Sequence, residues 1–309
     1  MRVAIIDLGT NTFNLLIAEL DGESFQIIFS TKKSVKLGEG GITKKQIADA
    51  AYQRGIEALS HYHKIVIKKG VEKVFAFATS AIRSAENGAA FATEAESIIG
   101  AKINIIDGDR EAELIFQGVK LAVKPDEKPF LIMDIGGGST EFIIVENEKL
   151  IWKQSFNLGV ARLLERFQPS DPILESDIEV ICNYLDEKLK PLSDILGKIK
   201  VSRLIGSSGS FDTFAEMICN DFYTPSLIDK SSTFHFKLDE FEMIHKKLLA
   251  STLQERLCMK GLIPMRADMI VLASVFVKYM LTRFSITEMQ LSKYALKEGV
   301  IYELMHQHQ

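Results

Sequence analysis

The chain has 309 residues, 47% of them hydrophobic and 25% charged, which is a globular composition with room for two domains of about 150 residues each. With 41 acidic against 37 basic residues the net charge is −4, which excludes wholesale nucleic-acid binding and confines any polyanion site to a local basic groove. The three cysteines, Cys182, Cys219 and Cys258, lie far apart in no metal-binding spacing and read as small apolar residues of a reducing compartment.

Taken in chain order, the N-terminal stretch MRVAIIDLGTNTFNLLIAEL is apolar. Asp7 and Asn11 interrupt it and no cleavage site follows, so it reads as core strands and not as a signal peptide. Residues 3–30 form a strand, a turn, a second strand, a short turn and a third strand. Thr43-Lys-Lys-Gln46 carries a capping-box pattern and predicts the start of a long helix that stops at Gly70. A buried strand is expected over 73–78, a helix from Asn87 to Gly100 and a strand over 102–106. Asp109 is the expected N-cap of a helix over 110–123.

The segment Lys124–Pro129 contains two prolines and reads as a hinge, dividing the chain into lobes 1–124 and 125–309. After it the opening pattern recurs. Residues 130–156, FLIMDIGGGSTEFIIVENEKLIWKQSF, repeat the three-strand meander, with Asp134 standing 127 positions after Asp7. Ser176–Glu179 predicts a helix that Pro191 ends or kinks, and residues 202–206 a strand running into Gly206-Ser207-Ser208-Gly209 and a further helix. Helices over 239–250 and 266–283, a strand over 286–291 and a last helix to about Met305 complete the chain, the last helix being a candidate to pack back on the first lobe. The apolar run from Met269 to Val277 is too short to span a bilayer, so no membrane partner and a cytoplasmic location are expected. Alternating strands and helices in a duplicated order imply an α/β protein of two similar lobes facing each other across a cleft.

Chemistry concentrates in the turns. Gly9, Thr10, Asn11 and Thr12 follow Asp7; Gly136, Gly137, Gly138 and Ser139 follow Asp134. Glycine lets backbone N–H groups approach a phosphate, hydroxyls add donors, and an aspartate can hold Mg²⁺ directly or through water. One such turn is an ordinary hairpin; two in register across a duplication make a clasp. Gly206–Gly209 lies between a strand and a helix, a third place suited to an anion. The Lys32/Lys33/Lys36 and Lys44/Lys45 clusters read as a solvated charged face, with a polyanion groove as the alternative. His306 and His308 read as a frayed terminus and not as metal ligands.

The ordered set DLGTNTFNLLIAE, ATSAIRSAENG, DGDREAELIFQGV, DIGGGSTEF, FNLGVARLLERF, IGSSGSF and MRADMI…LSKYALKEGV, from residue 3 to residue 301, resembles the exopolyphosphatase / guanosine pentaphosphate phosphohydrolase family. DIGGGST alone would indicate only the wider superfamily of actin-like ATPases and sugar kinases. The resemblance implies the actin/Hsp70/sugar-kinase (ribonuclease H-like) fold. It implies Glu111 as the carboxylate that activates water, Arg83 as the phosphate-binding arginine, and Asp7, Asp134 and Glu141 around Mg²⁺ or another divalent cation. Placement of Glu111 in the first turn of a helix, where the dipole favours the ionised form, agrees with the role of a base.

The chain departs from the family pattern in three places. Arg110 replaces the first of two successive acids, Asn14 stands where a basic residue is common, and Lys297 stands where arginine is usual. The expected activity is Mg²⁺-dependent release of orthophosphate from the end of linear polyphosphate. Hydrolysis of guanosine pentaphosphate is the nearest alternative; a kinase and a non-catalytic alarmone or polyphosphate sensor are remoter ones. A homodimer is an expectation by analogy alone.

Overall fold

A computed structural model describes residues 1–22, 24–124 and 128–306. The first half contains β1 (Arg2–Leu8), β2 (Thr12–Asp21), β3 (Ser24–Ser34), α1 (Asp49–Lys68), β4 (Lys73–Ala78), α2 (Ser80–Ser84), α3 (Gly88–Ile99), β5 (Ile103–Ile105) and α4 (Gly108–Ala122). The second half begins with β6 (Phe130–Ile135), β7 (Thr140–Glu146), β8 (Lys149–Phe156), α5 (Val160–Phe167), α6 (Glu175–Lys188), α7 (Lys190–Leu196), β9 (Arg203–Ser207) and α8 (Ser208–Phe222). It ends with β10 (Thr233–Phe236), α9 (Leu238–Leu249), α10 (Leu253–Leu257), α11 (Ile270–Arg283), β11 (Glu288–Ser292) and α12 (Leu296–His306).

The two sheets have one plan. The first runs β3-β2-β1-β4-β5; the second, taken from its β8 edge, runs β8-β7-β6-β9-β11 and adds β10. In each, a three-strand antiparallel meander is extended by parallel strands beside its first member. Two copies of this sheet with helices between parallel strands are the actin/Hsp70-type fold.

Alternation along the central strands explains the layers. Ala4, Ile6 and Leu8 point into a core shared with α1 and α3, while Val3 and Ile5 point the other way. Ile132, Ile143 and Ile205 of the second sheet meet Val3 and Ile5 in one continuous core that α4 and α12 fill. Leu131 and Met133 face the helices of the second lobe. The lobes are therefore joined by a shared apolar layer. Helix α4, although encoded in the first half, lies against β7, β8 and α12, and α12 also reaches β1. The α4–α12 crossing is close because a Cβ at Gly299 would lie 1.8 Å from the Leu114 carbonyl oxygen, and one at Gly118 would lie 1.9 Å from that of Ala295.

Several boundaries differ from the sequence expectation. Thr43–Gln46 does not open a helix: it lies in a turn, and α1 starts at Asp49. The Thr43 hydroxyl goes instead to Glu165 of the other lobe. Asp107, not Asp109, caps α4, its Oδ1 accepting from the Arg110 N–H at 2.7 Å. Helix α6 starts at Glu175, and Pro191 sits in the first turn of a separate helix, α7. Pro125 to Glu127 of the expected hinge lie outside the described residues, as does His308. No helix among the described residues is long and apolar enough to cross a membrane.

Candidate active site

The two Asp-Gly turns have the same internal bond. Gly9 N–H donates to the Thr12 carbonyl at 3.2 Å, and Gly136 N–H donates to that of Ser139 at 3.0 Å. Only glycine fits there, because a Cβ would lie 2.8 Å from the Thr12 oxygen and 2.9 Å from the Ser139 oxygen. The following strands repeat the register: Asp7 pairs with Asn14 and Asp134 with Glu141. The turns meet across a cleft of about 190 Å³. Gly137 lies against the Asn11 side chain, and Gly138 against the hydroxyls of Thr10 and Ser80. Around this meeting the lobes are bridged by Lys36–Asp268 at 2.6 Å and by Arg162 Nη1 donating to the Ile42 carbonyl at 3.2 Å.

Of the residues singled out from sequence, Asp7, Gly9, Thr10, Asn11, Thr12, Glu111, Asp134, Gly136, Gly137, Gly138, Ser139, Ser208 and Gly209 line this cleft. Arg83, Glu141, Gly206 and Ser207 are not among the residues that line it. Arg83 Nη1 is 2.9 Å from Glu111 Oε2 and also donates to the Ile106 carbonyl at 2.8 Å. Ser207 Oγ donates to Asp134 Oδ2 at 2.6 Å, and Ser155 Oγ donates to Glu141 Oε1 at 2.6 Å. Gly206 is a packing residue, because a Cβ there would lie 2.0 Å from the Phe211 ring. The third turn bends sharply: Ser208 takes φ 71°, a conformation that side-chain-bearing residues seldom adopt.

The carboxylates are strongly perturbed. Burial pushes Glu111 up to about 7; Arg83 pulls against this, while Asp7 and Asp134 push further upward. Asp134 rises to about 6 through burial and the charge on Asp7, opposed by the Ser207 hydrogen bond. Burial likewise raises Asp7, against the pull of Lys297 and of Asn14, whose Nδ2 donates to Asp7 Oδ2 at 2.9 Å. Glu141 is held well above the carboxylate range by burial and by Glu111 and Asp134. Four acids thus crowd one end of the cleft. Among the described residues, no three acidic, histidine or cysteine side chains converge as a direct ligand set for one ion.

Sequence reading gave no site role to Thr79, Ser80, Asp212, Arg266, Lys293 and Lys297, which also line the cleft, as does Lys32, for which a polyanion groove was the alternative reading. Lys32 comes from β3, opposite Asn14, and this member of the lysine cluster lines the groove while remaining exposed to solvent. Arg266 is fixed by the Gly209 carbonyl and by Thr213 Oγ1, the latter at 2.7 Å. Burial pulls the Lys297 pKa down, but Glu298, Asp7, Asp212 and Asp134 together hold it above the usual lysine range. A pocket that brings acids, cations and glycine-rich turns together can hold a phosphate chain and move a proton at its end.

Known proteins share this fold. The crystal structure of an exopolyphosphatase from Cytophaga hutchinsonii is 39% identical and superposes with a TM-score of 0.96, covering 99% of this chain and 98% of that one. That of an Aquifex aeolicus Ppx/GppA family member is 25% identical with a TM-score of 0.81, covering 100% and 98%. A guanosine-5'-triphosphate,3'-diphosphate pyrophosphatase of Photobacterium profundum is 27% identical over 307 residues, spanning 98% of this chain and 59% of that protein. With the family's sequence pattern matched over residues 16–308, the chain belongs to the Ppx/GppA phosphatase family and is a phosphoric anhydride hydrolase.

Proposed function

We propose that the protein is an exopolyphosphatase: it binds the end of a linear polyphosphate between the Asp7 and Asp134 turns and transfers the terminal phosphoryl group to water. The observation that carries this reading is Glu111, a buried carboxyl with a pKa of about 7, gripped by Arg83 and facing the cleft where the turns meet. A base near neutrality is ionised often enough to accept a proton and basic enough to keep it through the transition state. Water attacks the terminal phosphorus, the bridging P–O bond breaks, and the water's proton passes to Glu111. The products are orthophosphate and a chain one unit shorter. Lys32, Arg266, Lys293 and Lys297 line the direction in which the remaining chain would lie.

The donor set fits a divalent cation of the magnesium type. Such an ion keeps several waters and shares phosphate oxygens, so it needs only one or two protein carboxylates. Asp7 and Asp134 would hold it, with Glu141 supporting from behind, and it would offset charge on the transferred group. The unpaired cysteines Cys182, Cys219 and Cys258 agree with a cytoplasmic location. Guanosine pentaphosphate is the second reading, favoured by the Photobacterium profundum relative.

Phosphate release from long-chain polyphosphate and from guanosine pentaphosphate, side by side with Mg²⁺, tests the proposal, with Glu111→Gln as control. Glu111-dependent release chiefly from polyphosphate supports it. Preference for the nucleotide replaces it with the second reading, and release from neither refutes both.

A further inference from the structure

Ser80 is 2% exposed, and its hydroxyl oxygen is buried without a hydrogen-bond partner among the described residues, although it lies on the wall of the cleft. Buried hydroxyls are nearly always bonded, because leaving one unpaired forfeits its hydration without return. The Ser80 carbonyl accepts from Ser84 Oγ at 2.7 Å, and its side chain lies against Gly138 of the second turn. There it converges with the Thr10 hydroxyl on Gly138, since a Cβ at Gly138 would lie 2.6 Å from both oxygens. Three segments from two lobes therefore enclose one point: the first turn through Thr10, the β4–α2 junction through Ser80 and the second turn through Gly138. Arg83 follows Ser80 by three positions on α2, so the two share a face, and Arg83 holds Glu111. The orphan donor thus belongs to the same rigid unit as the residue that positions the base.

We infer that the Ser80 hydroxyl is a substrate contact, donating to a non-bridging oxygen of the bound phosphate chain at the point where the turns meet. The inference rests on the polyphosphate reading for its substrate, but not for the presence of an anion site. A missing acceptor in the protein is supplied by the ligand, and the cost of burying the hydroxyl is recovered on binding.

Opposite signs in stability and function test this. Ser80→Ala removes a donor that the free protein does not use, so its melting temperature should be equal to or above that of the wild type. Its kcat/KM for polyphosphate should fall about 10- to 100-fold, the worth of one hydrogen bond to a charged group. Placed in a Glu111→Gln background, Ser80→Ala should weaken tripolyphosphate binding, measured by calorimetry, by a similar factor. Unchanged kcat/KM and tripolyphosphate affinity would overturn the inference. A fall in melting temperature would also overturn it, since the hydroxyl would then have a protein partner. If the wild-type enzyme released no phosphate at all, the proposed function would fail, while the tripolyphosphate comparison would still decide the role of Ser80.

Discussion

Replacing Arg83 by glutamine should move the pH dependence of turnover, and the structure sets its direction and size. Glu111 must be ionised to act as a base, so kcat/KM should fall on the acid side of a pKa near 7. Burial raises that pKa and the Arg83 guanidinium, 2.9 Å away, opposes the rise. An opposite charge this close lowers a carboxyl by roughly 1 to 3 pH units, so its loss should carry the acid limb upward by about that amount. At pH 8 the wild-type carboxyl is about 90% ionised; in the variant this drops to between about 50% and about 1%, a loss of roughly 2- to 90-fold from ionisation alone. The assay is phosphate release from polyphosphate between pH 6 and 10 at fixed Mg²⁺. Under these conditions any influence of the ion on Glu111 is common to both proteins. Any loss that persists at the alkaline plateau measures the guanidinium's separate action on the phosphoryl charge. A limb that stays in place, or moves down, would refute the assignment of Glu111 as the titrating base held by Arg83.

Three further outcomes follow from other parts of the structure. Lys32, whose side chain lines the cleft without an ion pair among the described residues, should act through its charge on the bound chain. Lys32→Gln should raise KM for long polyphosphate about 3- to 10-fold with kcat unchanged, and the difference should shrink between 0.05 and 0.5 M salt; equal KM values at low salt would count against a place on the chain path. Gly299→Ala forces a methyl to within 1.8 Å of the Leu114 carbonyl oxygen and should cost about 1 to 3 kcal/mol in denaturant unfolding; an unchanged midpoint would show that α4 and α12 can separate freely. The metal-free protein should become more stable as pH falls from about 8 toward 5. Folded Glu111 and Asp134 titrate near 7 and 6, above their unfolded values, so the native state binds more protons in that window. Calorimetric melting that worsens steadily over this range would contradict those shifts.

The sequence was most informative where one segment dictates its own structure. β1 and β6 are apolar runs ended by Asp-x-Gly, and their repetition shows the duplicated meander before any contact is known. Helix starts were less legible where the capping group has a tertiary partner. Thr43 has the right neighbours for a capping box, but its hydroxyl bonds Glu165, which is distant in sequence. Asp107 and Asp109 flank Gly108 with equal claims as caps, and the extended backbone at Asp107 decides between them. β10 has only four residues and is a strand because β11 lies beside it. The acids of the site were legible because each sits in a motif. Arg266 and Lys293 were not, and Lys32 only as the alternative to a solvated face, because β3, the segment before α11 and the β11–α12 segment meet at one cleft only in the folded lobes.

The duplication also accounts for an electrostatic asymmetry with a consequence for binding order. Asp7 faces Asn14 across its strand pair, and Asp134 faces Glu141 at the equivalent position. The first pair is relieved by the Asn14 amide; the second places two acids side by side, and Glu111 of α4 adds its field to both lobes' acids. Against these four carboxylates stand Arg83 and Lys297. The end of a polyphosphate brings still more negative charge to this point, so the cations along the wall can attract the chain without making its terminal group welcome there. A divalent cation between Asp7 and Asp134 would remove the conflict, and Mg²⁺ should then govern substrate affinity as well as turnover. Glu111→Gln, which retains Asp7, Asp134 and Glu141, separates the two effects. Its affinity for tripolyphosphate should fall at least about 10-fold when Mg²⁺ is withheld, the scale of one uncompensated charge contact in a partly buried site. Equal affinity with and without the ion would mean that the wall cations suffice, and that the acids of the two turns do not bind the ion together with the substrate.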